Sequence, residues 1–508
     1  MYAKLYSASV IGIDGYIVEV EVDISNGLPQ FDIVGLPDSA IRESRDRVRA
    51  AIKNSAGQFP MQRITTNLAP ADVKKEGSGF DLAISLGILL ASEQLKTELL
   101  HKTLLIGELS LEGVLRPLNG ILPMVMEAKE RGFTSVMLPE ANAEEATLVD
   151  GLDVIPVRTL QQAISHLRGE ERISPFSSSS VAPDKPKVSN DFQDVRGQQH
   201  VKRALEVAAA GMHNIMLIGP PGSGKTMLAR RIPSIMTQLT RKESLEVTKI
   251  FSAAGLLMDR GRLVSTRPFR SPHHTISAAG LIGGGSVPKP GEVSLAHHGV
   301  LFLDELPEFA KSALEVLRQP LEDREVTISR ARATLTFPAN FMLVASLNPC
   351  PCGFYGSPSD TCTCTPYQIQ RYRSKISGPL LDRIDIHIEV PKVDYKTLSD
   401  TSKRESSETV RERVSLAAAI QTKRYKDESF TTNATMDAKA IRTYCHLAKQ
   451  SRELLEQSFD ALGLSVRAHD RILQIARTIA DLEGAEQIDT PHIAEAIPSR
   501  SLDRKYWA

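Results

Sequence analysis

The chain has 508 residues, which exceeds the usual size of one compact domain and predicts about three domains. Lys plus Arg and Asp plus Glu number 61 each, so no excess of positive charge indicates nucleic-acid binding, although acidic outer faces can balance a basic pore. One Trp and 5% aromatic residues argue against a large surface that stacks on single strands. No run approaches the roughly 20 apolar residues of a membrane span. Five Cys without a secretion signal predict a cytoplasmic protein with no membrane partner.

Residues 1–170 predict a mixed α/β domain, because strand-like and helix-like segments alternate along them. The strand-like segments are Ser7–Val22, Thr103–Ile106 and Ser135–Leu138, and the helix-like ones are Ala40–Asn54, Asp81–Glu93 and Leu122–Arg131. The stretch SPFSSSSVAPDKPKVSN, Ser174–Asn190, has no apolar periodicity. Its Ser, Pro and Lys content is typical of a linker. We therefore expect a linker over residues 171–190.

Residues 191–395 predict a second α/β domain with a parallel sheet, because short apolar strands alternate with helices. The strand Asn214–Ile218 leads into Gly-Pro-Pro-Gly-Ser-Gly-Lys-Thr and then a helix. This is the Walker A spacing, in which backbone N–H groups cradle nucleotide phosphates, the lysine reaches the β- and γ-phosphates and the hydroxyl faces Mg²⁺. ATP and Mg²⁺ are the expected cofactors. The predicted binding residues are Gly219, Pro220, Pro221, Gly222, Ser223, Gly224, Lys225 and Thr226.

Two further strands end in polar residues that suit the same site. Gly299–Leu303 runs into Asp304 and Glu305, as a Walker B motif should. We expect Asp304 to hold the Mg²⁺ shell and Glu305 to deprotonate the attacking water. The strand Phe341–Leu347 ends at Asn348, which suits the γ-phosphate contact called sensor 1.

Two arginines have contexts that suit phosphoryl transfer. Arg383, within Ser377–Asp385, looks like an arginine finger that acts on the ATP of a neighbouring subunit. Arg467 opens a helix-like segment in residues 396–508, which predict an all-helical lid, and it has the look of a sensor 2 arginine. A solvated surface position is the alternative for each.

Basic residues in two other segments are candidates for DNA contact. Glu325–Thr336 alternates like a hairpin and places Arg330 and Arg332 on one face. Lys289 lies in a Gly- and Pro-rich insert between the two Walker motifs. Contacts from such side chains to phosphates would supply a grip that does not depend on sequence. Arginines that simply face solvent are an equally good interpretation of the hairpin.

Four cysteines fall just after the predicted sensor 1 strand, at Cys350, Cys352, Cys362 and Cys364. Four thiolates can hold one tetrahedral Zn²⁺ with no open position, so the metal would be structural. The Cys-x-Cys spacing differs from the usual Cys-x-x-Cys, and four free thiols are the alternative. Cys445 stands alone and predicts a helix-packing residue.

These motifs together resemble the AAA+ ATPases. FRSPHHTISAAGLIGGGSVPKPGEVSLAHHGVLFLDELPEF, SLNPCPCGFYG and KISGPLLDRIDIHIEV resemble the magnesium-chelatase-like ComM/YifB family over nearly the whole chain. The resemblance implies a hexameric ring that hydrolyses ATP and drives DNA branch migration as a helicase, during the recombination of natural transformation. The DNA would be single-stranded or branched.

The first domain resembles the protease domain of Lon-type enzymes, which has a ribosomal S5 domain 2-like fold. Leu68–Asp81 is similar to the segment that carries the Lon nucleophile, and Pro117–Pro123 to the segment that carries the catalytic lysine. Laid residue against residue, these positions are Gly79 and Leu122, and Ser78 falls one place early. A serine without its base is a poor nucleophile, so the resemblance implies the fold without the peptidase chemistry.

Two other functions stay open. The chain could be the ATPase subunit of a chelatase that inserts Mg²⁺ into a porphyrin, or a protein remodeller that recruits clients through its first domain. A Lon-like first domain is unexpected in a chelatase motor, which favours the DNA motor.

Overall fold

The computed structural model describes residues 1–55, 57–177, 190–285, 288–330, 333–356, 361–394, 397, 404–500 and 502. The chain forms two compact units. Unit 1 comprises Met1–Pro183 and Ser244–Val264, and unit 2 comprises Asp184–Glu243 and Ser265–Ala508. Among the residues described, no helix combines the length and apolar character that crossing a membrane requires.

Unit 1 contains a mixed sheet with strand order β3-β4-β2-β1-β5-β8-β9. The strands of unit 1 are β1 (Tyr2–Ile11), β2 (Asp14–Ser25), β3 (Gln30–Val34), β4 (Arg63–Ala69), β5 (Thr103–Leu105), β6 (Glu108–Leu109), β7 (Leu115–Arg116), β8 (Ser135–Pro139) and β9 (Asp153–Val157). Of these, β6 and β7 pair with each other in a separate two-stranded sheet. The helices of unit 1 are α1 (Ser39–Asn54), α2 (Asp81–Ala91), α3 (Ile121–Glu130), α4 (Ala143–Ala146) and α5 (Leu160–Arg168), with a 3₁₀ turn at Glu140–Asn142. The helix α2 is apolar and almost wholly buried because it packs on β1 and β2. The mixed α/β expectation for this region is confirmed.

Unit 2 contains a parallel sheet with strand order β11-β14-β17-β10-β18. Its strands are β10 (Ile215–Ile218), β11 (Phe269–Arg270), β12 (Gly283–Gly284), β13 (Lys289–Pro290), β14 (Val300–Leu303), β15 (Glu325–Arg330), β16 (Ala333–Pro338), β17 (Met342–Leu347) and β18 (Ile386–Glu389). The helices up to the end of the sheet are α6 (Gln199–Gly211), α7 (Lys225–Ala229), α8 (Ile232–Ile235), α10 (Ala278–Ile282), α11 (Glu292–Leu295), α12 (Lys311–Glu315), α13 (Arg318–Asp323), α14 (Pro366–Arg373) and α15 (Gly378–Leu381). The helix α9 (Arg241–Ala254) begins in unit 2 and continues in unit 1. Single 3₁₀ turns lie at Phe192–Asp194, Leu306–Glu308 and Asn433–Thr435. The predicted parallel sheet is confirmed, and its central strands are wholly buried, as two-sided coverage requires.

The C-terminal region is helical, with α16 (Ser407–Arg424), α17 (Ala438–Tyr444), α18 (Lys449–Leu462), α19 (Val466–Leu482) and α20 (Thr490–Ala496). These helices share one apolar core with the sheet domain, in which Leu205 of α6 joins Val414 of α16 and Ile475 of α19. The sequence predicts an all-helical lid over residues 396–508, and the described helices of this region lie in the same compact unit as the sheet.

One segment lies in a different unit from the one its position in the sequence suggests. The predicted second domain, 191–395, includes Ser244–Val264, yet these residues pack in unit 1. They contain most of α9, whose Leu245 packs against the apolar cluster around α3. At the end of α9, the Ser252 hydroxyl donates to the buried Glu145 carboxylate, and the Ser252 carbonyl accepts from the Gly120 N–H at 3.0 Å. The sequence gives no sign of this tertiary contact.

Candidate nucleotide-binding site

The Walker A loop leaves strand β10, which lies between β17 and β18, and ends where α7 begins. Gly222 and Gly224 adopt φ values of +73° and +89°, which side chains with a Cβ rarely adopt. The Lys225 ammonium donates to the carbonyls of Gly219 at 2.8 Å and Pro220 at 2.9 Å. The loop is therefore folded around its own lysine, with the backbone shape that phosphate binding requires.

The Lys225 side chain is only slightly exposed. Burial lowers the pKa of its ammonium to about 8, against the opposing attraction of Asp304 and Glu305. A phosphate chain would supply the negative charge that favours the ammonium in this position. The lysine is thus poised to bind an anion.

The parallel register brings the Walker B carboxylate to the same edge of the sheet as the Walker A loop. Leu303 pairs with Ala345, and Ile218 pairs with Leu347, so the residues that follow β14, β17 and β10 meet. The Thr226 hydroxyl donates to Asp304 Oδ2 at 2.9 Å. Adjacent oxygen ligands of an octahedral Mg²⁺ are about 2.9 Å apart, so Thr226 and Asp304 fit this ion.

Glu305 follows in a constrained backbone conformation. Its φ is +54°, which is uncommon for a residue other than glycine. The Glu305 N–H points to Asp304 Oδ1 at 3.2 Å and Ser346 Oγ at 3.3 Å. Its side chain is exposed, so this turn leaves the carboxylate accessible to solvent beside Asp304. Strained residues of this kind concentrate at functional sites.

Asn348 completes the group within one chain. Its Oδ1 accepts from the Lys225 ammonium at 3.2 Å. The structure therefore brings together the Walker A lysine and threonine, the Walker B acids and Asn348.

Two supporting residues escape the sequence analysis. Ser346 donates its hydroxyl to Asp304 Oδ1, and its position two residues before Asn348 on a strand could have indicated a shared face. Gln198 adopts φ +54° and donates from Nε2 to the carbonyls of Ser223 at 2.9 Å and Pro391 at 3.0 Å. It joins the Walker A loop to the end of β18, and no motif marks it.

Arg383 and Arg467 lie at the opposite edge of the sheet. The Arg383 carbonyl accepts from Asn214, which immediately precedes β10, while the Walker A loop follows β10. Arg467 donates to Asp382 at 3.1 Å, next to Arg383. The strand alone separates the two edges by about 10 Å. Neither arginine therefore joins the lysine and acids of its own chain.

The four cysteines are brought together in one loop. The Cys350 sulfur lies 3.3 Å from Cys352 and 3.7 Å from Cys362, and the Cys352 and Cys362 sulfurs are 3.6 Å apart. Cys364 completes a group whose sulfurs all lie within 4.8 Å of one another. This group could hold a metal ion. Cys445 is buried, and its thiol faces the Leu473 carbonyl within the helical region.

The structure describes only part of the two segments that carry the predicted DNA-contacting residues. The predicted hairpin is confirmed, since β15 and β16 pair from Glu325 with Pro338 to Arg330 with Ala333. Arg330 is the last residue of β15, and Arg332 lies outside the described residues. Lys289 is exposed in β13, which pairs with β12.

The positions that correspond to the Lon dyad have no catalytic groups. Leu122 is fully buried in an apolar cluster, and a side chain at Gly79 would meet Leu118 and then Ile106. The Ser78 hydroxyl donates to Glu108. The nucleophile position is therefore occupied by a glycine and the lysine position by a buried leucine.

Three family models match the chain. The model described as magnesium chelatase, subunit ChlI, matches residues 191–398. The model described as subunit ChlI of Mg-chelatase matches residues 20–142, and the one described as magnesium chelatase, subunit ChlI C-terminal, matches residues 404–500.

Individual proteins match over different lengths. The chain is 32% identical to Lon protease 2 of Bacillus subtilis over 148 residues, which cover 28% of this chain and 26% of that protein. It is 43% identical to the uncharacterized protein YifB of Escherichia coli over 506 residues, covering 98% and 97%. It is 44% identical to competence protein ComM of Haemophilus influenzae over 508 residues, covering 99% and 98%. The chain therefore belongs to the ComM/YifB family of magnesium-chelatase-like AAA+ proteins.

Proposed function

We propose that this chain is an ATP-hydrolysing motor that works as a ring, most simply a hexamer, and drives branch migration of DNA. One observation carries the proposal: the phosphate-binding half of the site lies at one edge of the unit 2 sheet and the arginines lie at the other. Such a division supports an active site that two neighbouring subunits share, as in a head-to-tail ring.

The residues at the first edge have distinct roles in hydrolysis. Lys225 neutralises the β- and γ-phosphates, and the Walker A backbone N–H groups fix their position. Thr226 and Asp304 would hold Mg²⁺, which would supply positive charge beside the phosphate oxygens. Glu305 accepts a proton from the attacking water, while Asn348 orients the γ-phosphate and that water.

Arg383 completes the site of the neighbouring subunit. Within its own chain the guanidinium is held by Glu322 and by the Pro379 carbonyl at 2.5 Å, which keeps it at the sheet edge in a fixed orientation. When it contacts the neighbour's γ-phosphate, it stabilises the charge of the transition state. Arg467 lies beside it and serves the same interface.

Mixed rings test this division directly. Glu305→Gln and Arg383→Ala proteins are each expected to be inactive. In an equimolar random mixture, about a quarter of the interfaces join an intact Walker site to an intact arginine, so turnover should reappear. No recovery at any mixing ratio would show that the arginine does not act between subunits.

The DNA track is supported by the name of the full-length relative, a competence protein, and by basic positions Lys289, Arg330 and Arg332. ATP turnover should rise with single-stranded or forked DNA, and the stimulation should weaken as salt increases. Replacing Lys289 by alanine should reduce the salt slope by about one for each lost phosphate contact. Lys225→Ala is the control for contaminating ATPases. Turnover that no DNA stimulates at any salt concentration would reject the DNA motor.

A chelatase ATPase subunit is the second candidate, because all three matching family models are described by magnesium chelatase. The match over residues 20–142 means that the first domain does not by itself argue against this function. Turnover that responds to a porphyrin and Mg²⁺, but not to DNA, would favour it.

A further inference from the structure

The cysteine loop has the geometry of a four-thiolate metal site. With a zinc–sulfur distance of about 2.3 Å, the sulfurs around a tetrahedral Zn²⁺ are about 3.8 Å apart. The three sulfur–sulfur distances of 3.3, 3.6 and 3.7 Å are close to this value. The four sulfurs come from two separate pairs of cysteines, and all five cysteines of the chain are free thiols. No open ligand position remains, so the ion would be structural rather than catalytic.

Backbone donors already point at two of these sulfurs. The Cys352 N–H donates to the Cys364 sulfur at 3.4 Å, and the Tyr355 N–H donates to the Cys350 sulfur at 3.3 Å. Donors of this kind stabilise thiolates and orient metal ligands. They suit a bound cation better than four neutral thiols, which need no such partners.

The loop is packed directly against the Walker A loop. Gly353 lies between the first pair of cysteines and the Tyr355 amide, with φ at +86°. A Cβ at Gly353 would fall 2.4 Å from the Cδ of Pro221. The position therefore needs glycine both for its backbone conformation and for its contact with Pro221.

The same loop begins at the γ-phosphate sensor. Cys350 follows Asn348 by two residues, and Asn348 accepts from Lys225. The intervening Pro349 carbonyl accepts from Arg373 at 3.1 Å, and the Arg373 guanidinium stacks over the Tyr355 ring at 4.9 Å. Arg373 thus joins Tyr355 to Pro349, and Asn348 and Pro221 each lie next to residues of the cysteine loop.

We propose that Cys350, Cys352, Cys362 and Cys364 bind one structural Zn²⁺, and that this ion braces the Walker A loop and Asn348. The metal fixes the loop, the loop presses Gly353 against Pro221, and the start of the loop holds Asn348 at Lys225. The coupling to ATP rests on the proposed function, whereas metal binding does not. Loss of the ion should therefore weaken nucleotide binding, although none of the four cysteines that hold the ion belongs to the nucleotide site.

The first experiment measures metal in the purified full-length protein by inductively coupled plasma mass spectrometry. About one zinc per chain is expected in the wild type. Cys352→Ser and Cys362→Ser should each contain at least about tenfold less zinc per chain. Cys445→Ser, a matched change of a buried cysteine outside the loop, should keep the wild-type zinc content. Wild-type protein that contains no zinc when produced with zinc in the medium would overturn the proposal.

The second experiment separates metal binding from the brace. Gly353→Ala keeps all four ligands, so it should retain the zinc but bind a fluorescent ATP analogue at least about tenfold more weakly, because the new Cβ displaces Pro221. Circular dichroism reports whether each variant is folded. Zinc-free Cys352→Ser protein that is folded and binds nucleotide with wild-type affinity would contradict the proposal that the ion braces the Walker A loop. These readouts need no DNA, so they can fail while the DNA motor stands.

Discussion

The two edges of the unit 2 sheet use charge in opposite ways. At the carboxyl edge, Lys225, Thr226, Asp304 and Asn348 satisfy one another within a single chain. At the amino edge, Arg383 and Arg467 are paired with the acids Glu322 and Asp382, which are not part of the phosphate site. One edge is a nearly complete half-site, and the other is its complement. In the proposed ring, this difference would let a single sheet both receive and supply catalytic groups.

Arg383→Ala should have the largest effect on this comparison. An arginine that stabilises phosphoryl transfer contributes about 10³-fold or more to turnover, so the rate should fall by that order while ATP affinity changes little. The measurement is steady-state ATPase activity together with nucleotide binding. Glu322→Gln is the matched control, because it removes the partner within the chain and leaves the arginine. If Glu322→Gln were as inactive as Arg383→Ala, turnover would depend on the Arg383–Glu322 ion pair within the chain and not on a contact between Arg383 and a neighbour's ATP.

Glu305→Gln tests the other edge. Loss of a general base costs about 10²- to 10⁴-fold, and the amide should preserve nucleotide binding because Lys225, Thr226 and Asp304 remain. Single-turnover hydrolysis and equilibrium binding separate the two quantities. Normal hydrolysis by this variant would mean that Glu305 is not the base.

Arg471→Leu probes how the amino edge is built beneath the exposed Arg467. Asp385 is fully buried, and Arg471 lies 3.0 Å from its Oδ1. Burial alone would raise the pKa of Asp385, but Arg471 and His213 lower it to about 2. Removing Arg471 leaves a buried charge without its partner, so unfolding free energy should fall by about 3–5 kcal/mol.

Urea denaturation followed by circular dichroism measures this loss. Arg467→Ala is the control on the same edge, where an exposed ion pair contributes at most about 1 kcal/mol. Because the folded pKa of Asp385 is depressed, the stabilisation it supplies is present above pH 4 and is lost as pH falls towards 2. Equal destabilisation by Arg467→Ala and Arg471→Leu would contradict this division between surface and interior.

The smallest effect concerns the pH dependence of ATP affinity. The pKa of Lys225 is about 8 in the free protein, and phosphates favour its protonated form. Binding above that pH must therefore take up a proton, and affinity for a non-hydrolysable analogue should fall by up to about tenfold per pH unit. Calorimetry in buffers of different ionisation enthalpy detects the proton. Lys225→Arg, which stays protonated, should bind more weakly but with a flat profile up to pH 9.

The ATP site could be predicted because its residues form short contiguous motifs at the ends of apolar strands. Walker A, Asp304, Glu305 and Asn348 needed only the rule that parallel strands end at one edge. Gln198 and Ser346 act through contacts with residues distant in sequence. Arg383 lies at the amino edge because β18, which follows it, is parallel to β10, and a strand of four residues is too short for periodicity to give its direction in the sheet.

The segment Ser244–Val264 could not be assigned to unit 1 from its sequence. Its helix α9 has an ordinary amphipathic pattern, and such a pattern predicts a buried face without naming the surface that buries it. The cysteine spacing likewise indicated a possible metal, but the contact between Gly353 and Pro221 depends on how the loop folds back.

The route of α9 also decides how the protein can be cut. The chain passes from one unit to the other after Pro183, after Glu243 and before Ser265, so a single cut after Pro183 leaves two covalent connections intact. The predicted linker, 171–190, falls largely outside the described residues. A truncation that starts at Asp184 would retain Ser252 and Leu245 but delete Glu145 and the apolar cluster that cover them. Recombinant versions of unit 2 alone should therefore be designed with Ser244–Val264 replaced by a short polar connection.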